Sequence, residues 1–112
     1  MVRERFIRVP KDEKAMEDYD YGIQKQEQME EMILSEEQYK VLDDIGVFDK
    51  INEKCDIIID DYEEEVLELD KIPMALEVVN QLINSNSNEE LVKLKKMLDL
   101  AITHKTIVGF DF

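Results

Sequence analysis

Hydrophobic and polar positions alternate cleanly at the two ends of the chain. Near the start, Val2, Phe6, Ile7 and Val9 are interleaved with Arg3, Arg5 and Arg8 before Pro10 ends the run. At the far end, "TIVGFDF" sets Val108, Phe110 and Phe112 on one face and Ile107, Gly109 and Asp111 on the other. A period of two is the signature of a half-buried strand. Both ends are therefore predicted to be short strands, positioned to pair with each other. An isolated pair is marginal in water, so this one is expected to lie on helices with its phenylalanines inward.

Between the ends the apolar spacing lengthens to three and four residues. Residues 11–34 carry Met16, Tyr19, Ile23, Met29, Met32 and Ile33 as apolar points, broken by "DYDYG" near Gly22, and residues 23–33 form the more regular helical half. Ser35 with Gln38 three residues on matches a capping box, after which Tyr39, Leu42 and Ile45 share one face of a short helix that Gly46 can end. Ile51, Cys55, Ile58, Tyr62, Val66 and Leu69 then recur on one helical stripe. The competing reading there is a strand at "DIIID", where three β-branched residues could be buried on both faces of a sheet; the helix is preferred. Pro73 suits the first turn of another helix with Leu76, Val79 and Ile83 inward, and "NSNSN" is a turn. Ser87 or Asn88 can cap a last helix whose inward face is Leu91, Leu94, Leu98 and Ala101.

The expected fold is thus mainly α (α+β), close to all-α: a compact domain of four to five helices with a small pair of strands from the N- and C-termini. At 112 residues the chain has the size of one ordinary domain, read as spanning residues 1–112.

Charge changes the picture more than any motif. Lys and Arg number 14 and Asp and Glu 28, a formal charge of −14. Such a field repels nucleic acid and anionic membranes and attracts basic proteins. The stretch "CDIIIDDYEEEV" concentrates it, and on a helix its acids would fall opposite the isoleucines as one negative face: Asp60, Asp61, Glu63, Glu64 and Glu65, with Tyr62 among them as an anchor. These six residues are the predicted partner-binding site. Tyr19 and Tyr21 are further anchor candidates.

Catalytic and metal readings find little support in the residues. The acidic run lacks the Asp alternation and the glycine of an EF-hand loop. The lone His104 has no Glu three residues before it and no nucleophile elbow to serve. Cys55 lies on an apolar stripe among acids, an environment that raises a thiol pKa. No cofactor, no metal and no enzymatic activity are therefore expected. A single cysteine, a charged N-terminus and the lack of any apolar run of about 20 residues predict a cytoplasmic protein without a membrane span. The six methionines, Met16, Met29, Met32 and Met97 among them, are read as core filler rather than a binding surface.

In class, though in no aligned residue, such a small acidic chain resembles the antitoxin and immunity proteins that microbes use to block nuclease toxins, and phage-type proteins that mimic DNA. The resemblance implies a non-enzymatic protein that covers a basic surface of a nuclease toxin or another nucleic-acid-binding protein. The alternative is a structural or regulatory subunit whose acidity serves only solubility. The pattern favours no oligomeric state.

Overall fold

The computed structural model describes residues 3–112; Val2, the first apolar position of the predicted N-terminal strand, lies outside the described residues. The alternating ends form the strands expected of them. Arg5–Pro10 is β1 and Val108–Asp111 is β4, and they pair antiparallel with Ile7 opposite Phe110. Two further strands enlarge the pair. Met29–Leu34 (β2) joins the free edge of β1 and Glu64–Leu67 (β3) joins β4, giving a four-stranded antiparallel sheet in the order β2-β1-β4-β3.

Five α-helices complete the described residues: α1 (Glu13–Asp20), α2 (Glu36–Ile45), α3 (Val47–Cys55), α4 (Ile72–Ser85) and α5 (Glu89–His104). Their ends follow the local chemistry. Ser35 and Gln38 close the capping box of α2, the Ser35 hydroxyl accepting from Gln38 N at 3.2 Å and Gln38 Oε1 from Ser35 N at 2.8 Å. Gly46 ends α2 at φ 89°, a left-handed turn for which glycine is the natural residue. Pro73 sits in the first turn of α4, and Asn88 caps α5 by accepting from Leu91 N at 3.0 Å. The architecture is α+β rather than all-α.

One face of the sheet carries the core. Ile7, Val9, Leu34, Leu67, Val108, Phe110 and Phe112 point into it and meet Leu42, Phe48, Ile51, Ile72, Ala75, Val79, Leu91, Leu94, Leu98 and Ala101 from α2 to α5. Phe48, Phe110 and Phe112 pack edge to face with centroids 5.2 to 6.5 Å apart. Met29, Met32 and Met97 are buried, as filler should be. Phe6 departs from the expectation that every phenylalanine faces inward: the pleat turns it to the opposite face, beneath the Arg8 guanidinium.

That opposite face receives α1. Tyr19 lies over Gly109, where a Cβ would collide with the phenol ring, and its hydroxyl donates to both Asp111 oxygens at 2.9 and 3.0 Å. Burial first, and then the Asp111 charge, push the Tyr19 phenol far above its ordinary pKa, so it remains a donor.

Two predicted helices give way to strands. Residues 23–33 form a single 3₁₀ turn at Gln26–Gln28 and then β2. Glutamate and methionine favour helices, yet β1 has an unpaired edge to satisfy, and Arg8 finds Glu31 across the ladder at 2.7 Å. The stripe from Ile51 to Leu69 also breaks. Asp56 takes a left-handed conformation at φ 55° and ends α3 after Cys55. Of the stripe, Ile51 and Cys55 keep their inward place while Ile58 and Tyr62 are exposed. The strand alternative at "DIIID" is not realised either, because residues 56–63 form a loop and pairing begins only at Glu64.

No helix among the described residues is long and apolar enough to cross a membrane.

Candidate functional site

The acidic stretch lies on a loop and a short strand instead of a helix face, and this redistributes its carboxylates. The loop is held at several points. The Asn52 side chain clasps Ile59 through both backbone groups, Nδ2 donating to Ile59 O at 3.0 Å and Oδ1 accepting from Ile59 N at 2.7 Å. Glu65 turns back to accept from Ile58 N at 2.8 Å. Phe112 N donates to Glu63 O at 3.1 Å. Loop atoms fixed in this way lose little entropy when a partner binds, which is the advantage of preorganisation.

Arginines supply the remaining anchors. Arg5 is 2% exposed and reaches Asp61 at 2.7 Å and Glu36 at 2.9 Å, while Arg3 reaches the same Asp61 oxygen at 2.7 Å. Each guanidinium also lies on an aromatic ring, Arg3 over Tyr62 at 3.9 Å and Arg5 over Tyr39 at 3.7 Å. With Arg8 bound to Glu31 and Asp111, all three arginines are spent on internal acids.

The six predicted residues therefore separate into distinct roles. Asp61 and Glu65 hold the loop. Asp60, Tyr62 and Glu63 face solvent, with Tyr62 81% exposed at φ 63° and Ile58 beside them 69% exposed. Glu64 is exposed on the far face of the sheet, because neighbouring strand residues point to opposite sides.

The fold also adds acids that the linear sequence did not connect with this stretch. Burial, and then the charges of Asp49, Asp44, Asp61 and Asp60, hold the Asp43 carboxyl above its ordinary pKa. The α2–α3 corner and the loop thus share one negative field. Like charges gathered this way oppose folding, so their presence is not explained by stability. Asp43 and Asp44 lie side by side in the sequence; what could not be read there was the left-handed turn at Asp56 that brings Asp60 back to them.

The pH dependence of stability follows from these shifts. Burial alone would raise the Asp61 carboxyl, but hydrogen bonds from Arg5 and Arg3, with their charges, bring it below the ordinary range; Gln28 and then Lys14 lower Asp18 likewise. A depressed folded pKa contributes stability that is full above the unfolded value of about 4 and is lost as pH falls through the folded one. Asp43 has the opposite sign and opposes folding at neutral pH. Urea midpoints should hold steady from pH 7 to about 5 and fall below about 4. Asp61→Asn should lower the unfolding free energy at neutral pH by about 1 to 2 kcal/mol and flatten the acid decline, while Asp43→Asn raises the neutral midpoint. Unchanged acid behaviour in Asp61→Asn would remove the assigned role of that anchor.

Two other candidate groups have internal partners. Cys55 is buried, its thiol raised by burial, with Sγ 3.6 Å from Lys71 O. His104 closes α5 and lies 3.2 Å from Glu30. Among the described residues no group of three or more His, Cys, Asp or Glu side chains is arranged to hold a metal ion.

The fold and the site define a small α+β protein with a rigid acidic surface. Its chain is similar in structure to the Neisseria DNA mimic protein DMP12, with a TM-score of 0.64 and 22% sequence identity, over 98% of this chain and 100% of that one. At that identity the likeness shows a shared fold. No family model and no curated protein matches the sequence.

Proposed function

We propose that this protein is a non-enzymatic acidic binder that occludes the nucleic-acid-binding surface of a basic protein partner. The reading is carried by one observation: Asp43, Asp44, Asp49 and Asp60 share one negative field beside a loop held by internal contacts, and on that loop Tyr62 and Ile58 are exposed. Charge gives rapid, selective encounter, and an aromatic and an aliphatic side chain supply the apolar contact that tight binding needs.

The structurally similar protein is a DNA mimic, which supports a DNA-binding partner in general. A nuclease toxin is the particular partner expected from charge and size, and the protein would then act as its immunity protein in the cytoplasm. The loop positions proposed to touch the partner are Asp60, Tyr62 and Glu63, with Asp61 and Glu65 fixing them and Glu64 at the margin.

The test is capture of basic proteins on the immobilised chain from a lysate of the source cells at low salt, in parallel with a chain carrying Tyr62→Ala and Ile58→Ser. A DNA-binding protein retained by the wild type, released by salt and absent from the double variant is the expected result. Equal retention by both chains would mean that the loop is not the binding face.

A further inference from the structure

The two outer edges of the sheet are finished differently. Lys11 N donates to Gln28 O at 2.9 Å, which continues the ladder between β1 and β2 by one pair. Antiparallel alternation then turns the backbone groups of Glu30, Met32 and Leu34 toward β1 and those of Glu31 and Ile33 outward. At the other edge the bond from Phe112 N to Glu63 O turns Glu64 and Val66 outward, but Val66 N already donates to Glu65 Oε1 at 2.9 Å, which leaves an added strand no successive donors there. The outward backbone of Glu31 and Ile33 has no such cover among the described residues. Charge does not guard it either: the Glu31 carboxylate is drawn to Arg8, and Ile33 is 47% exposed.

A groove of about 560 Å³ follows this open edge between β2 and α5. Met32, Met97 and Leu100 give it apolar walls, and Glu30, Lys93 and Lys96 give it charge. Lys96 makes no ion pair among the described residues, and Lys93 meets only Glu90, at 3.6 Å. Strand and helix run in opposite directions: Glu30, near the start of β2, lies 3.2 Å from His104 at the end of α5, while Glu90 at the start of α5 accepts from Gln38, in the helix that follows β2, at 3.1 Å. Lys93 therefore stands at the Leu34 end of the groove. A strand added here is best matched if it brings an acid to that end and apolar side chains to the middle.

We infer that the β2 edge pairs with the same edge of a second copy of this chain, joining two four-stranded sheets into one around a two-fold axis. β2 itself carries what its groove calls for, since Glu30, Met32 and Leu34 alternate on the inward face. Among the two-fold registers that let Glu31 and Ile33 exchange backbone hydrogen bonds, Glu31 against Glu31 opposes like charges directly. Ile33 against Ile33 calls on Ser35 N, which already donates to Gln38 Oε1 at 2.8 Å. Glu31 against Ile33 avoids both. In that register Met32 meets Met32 at the axis, and Glu30 lies opposite Leu34 of the second copy, at the end of the groove where that copy's Lys93 stands. The seam thus gains a Glu30–Lys93 pair at each end, and its lysines offset the repulsion between two chains of charge −14. The acidic loop borders β3 at the far edge and stays uncovered in both copies, so the inference does not rest on the function proposed for it.

The test is sedimentation equilibrium of the full chain, with amide hydrogen exchange at matched concentrations. A mass that rises with concentration toward twice 13.2 kDa is expected, with the Glu31 and Ile33 amides protected only in the associated form and the Glu64 amide unchanged. Ile33→Pro removes an outward donor, a change that edge strands tolerate, and should weaken association by about tenfold or more. Lys93→Glu alone and Glu30→Lys alone should each weaken it by about tenfold or more, whereas an equimolar mixture of these two variants, which sets opposite charges at both ends of the seam, should associate within about twofold of the wild type. Should Ile33→Pro not fold, the charge-reversed pair carries the test. A chain that stays monomeric to about 1 mM would overturn the inference. So would a dimer that protects Glu64 instead, one that Ile33→Pro leaves intact, or a mixture no tighter than either charge variant alone.

Discussion

Neutralising Asp43, Asp44, Asp60 and Glu63 to Asn and Gln is expected to slow association with the proposed basic partner by about tenfold to a hundredfold at low salt and to leave the fold intact. These carboxylates are exposed and make no ion pair among the described residues, and the one hydrogen bond they accept, from Asp61 N to Asp60 Oδ1 at 2.8 Å, is available to the amide oxygen of an Asn as well, so removing their charge takes away long-range attraction without breaking a contact that holds the loop. Folding stability should hold or rise slightly, because burial and then the neighbouring charges, which raise the Asp43 pKa, no longer act against a charged group. Asp61 is left out of the set deliberately. A neutralisation of Asp60, Asp61, Glu63 and Glu64, the choice a helical reading of the stretch recommends, would release Arg3 and Arg5 from the loop and mix a folding defect with a binding one. Stopped-flow association at several salt concentrations is the measurement. Wild-type rates should fall as salt is raised from a Debye length of about 30 Å at 0.01 M to about 8 Å at 0.15 M, and the variant should be nearly insensitive to the same change. A variant that associates at the wild-type rate would reduce this surface to solvated decoration.

Leu98→Ala lowers stability by about 2 to 5 kcal/mol, the largest single-residue effect expected on folding. Leu98 is fully buried on the inward stripe of α5 with Leu94 and Ala101. Truncation removes its transfer free energy and leaves a cavity that a core built from α2 to α5 and the sheet cannot fully collapse. Lys93, on the same helix, projects outward with its amine 3.6 Å from Glu90, and Lys93→Ala should shift stability by no more than about 0.5 kcal/mol. Urea denaturation of the three proteins, with equal dependence on denaturant, makes the comparison. Similar midpoints for the two variants would mean that the helical phase of α5 is wrong.

Where local chemistry and tertiary demand agree, the sequence was legible. The caps at Ser35 and Asn88, the glycine at the end of α2, Pro73 at the start of α4 and the inward leucines of α5 depend on neighbours within a turn or two, and each is where its residue type requires it. The terminal strands were legible for the same reason, a clean period of two. β2 and β3 were not, because what makes them strands lies elsewhere in the chain. "MEEMIL" has helix formers enough, and only the unpaired edge of β1, with Arg8 awaiting a carboxylate, draws it into a sheet. "EEEVL" continues a respectable helical stripe until Asp56 adopts a positive φ, and Asp is among the few non-glycine residues that do so readily.

The candidate site was half visible. Its acids could be found by counting them, as could the exposed tyrosine among them. Which carboxylates are free and which are spent could not, since that follows from three arginines more than fifty residues away or on another strand. The contribution of Asp43 and Asp44 depends on the same long-range return of the loop.

Mutual exclusion with nucleic acid is the most direct test of an occluding role. With the captured DNA-binding partner held on a fluorescently labelled duplex, adding this protein should release the DNA and return its anisotropy to the free value. The chain carrying Asp43→Asn, Asp44→Asn, Asp60→Asn and Glu63→Gln should need a much higher concentration to do the same. A stable ternary complex, in which the partner binds this protein while its duplex stays fully bound, would contradict occlusion outright.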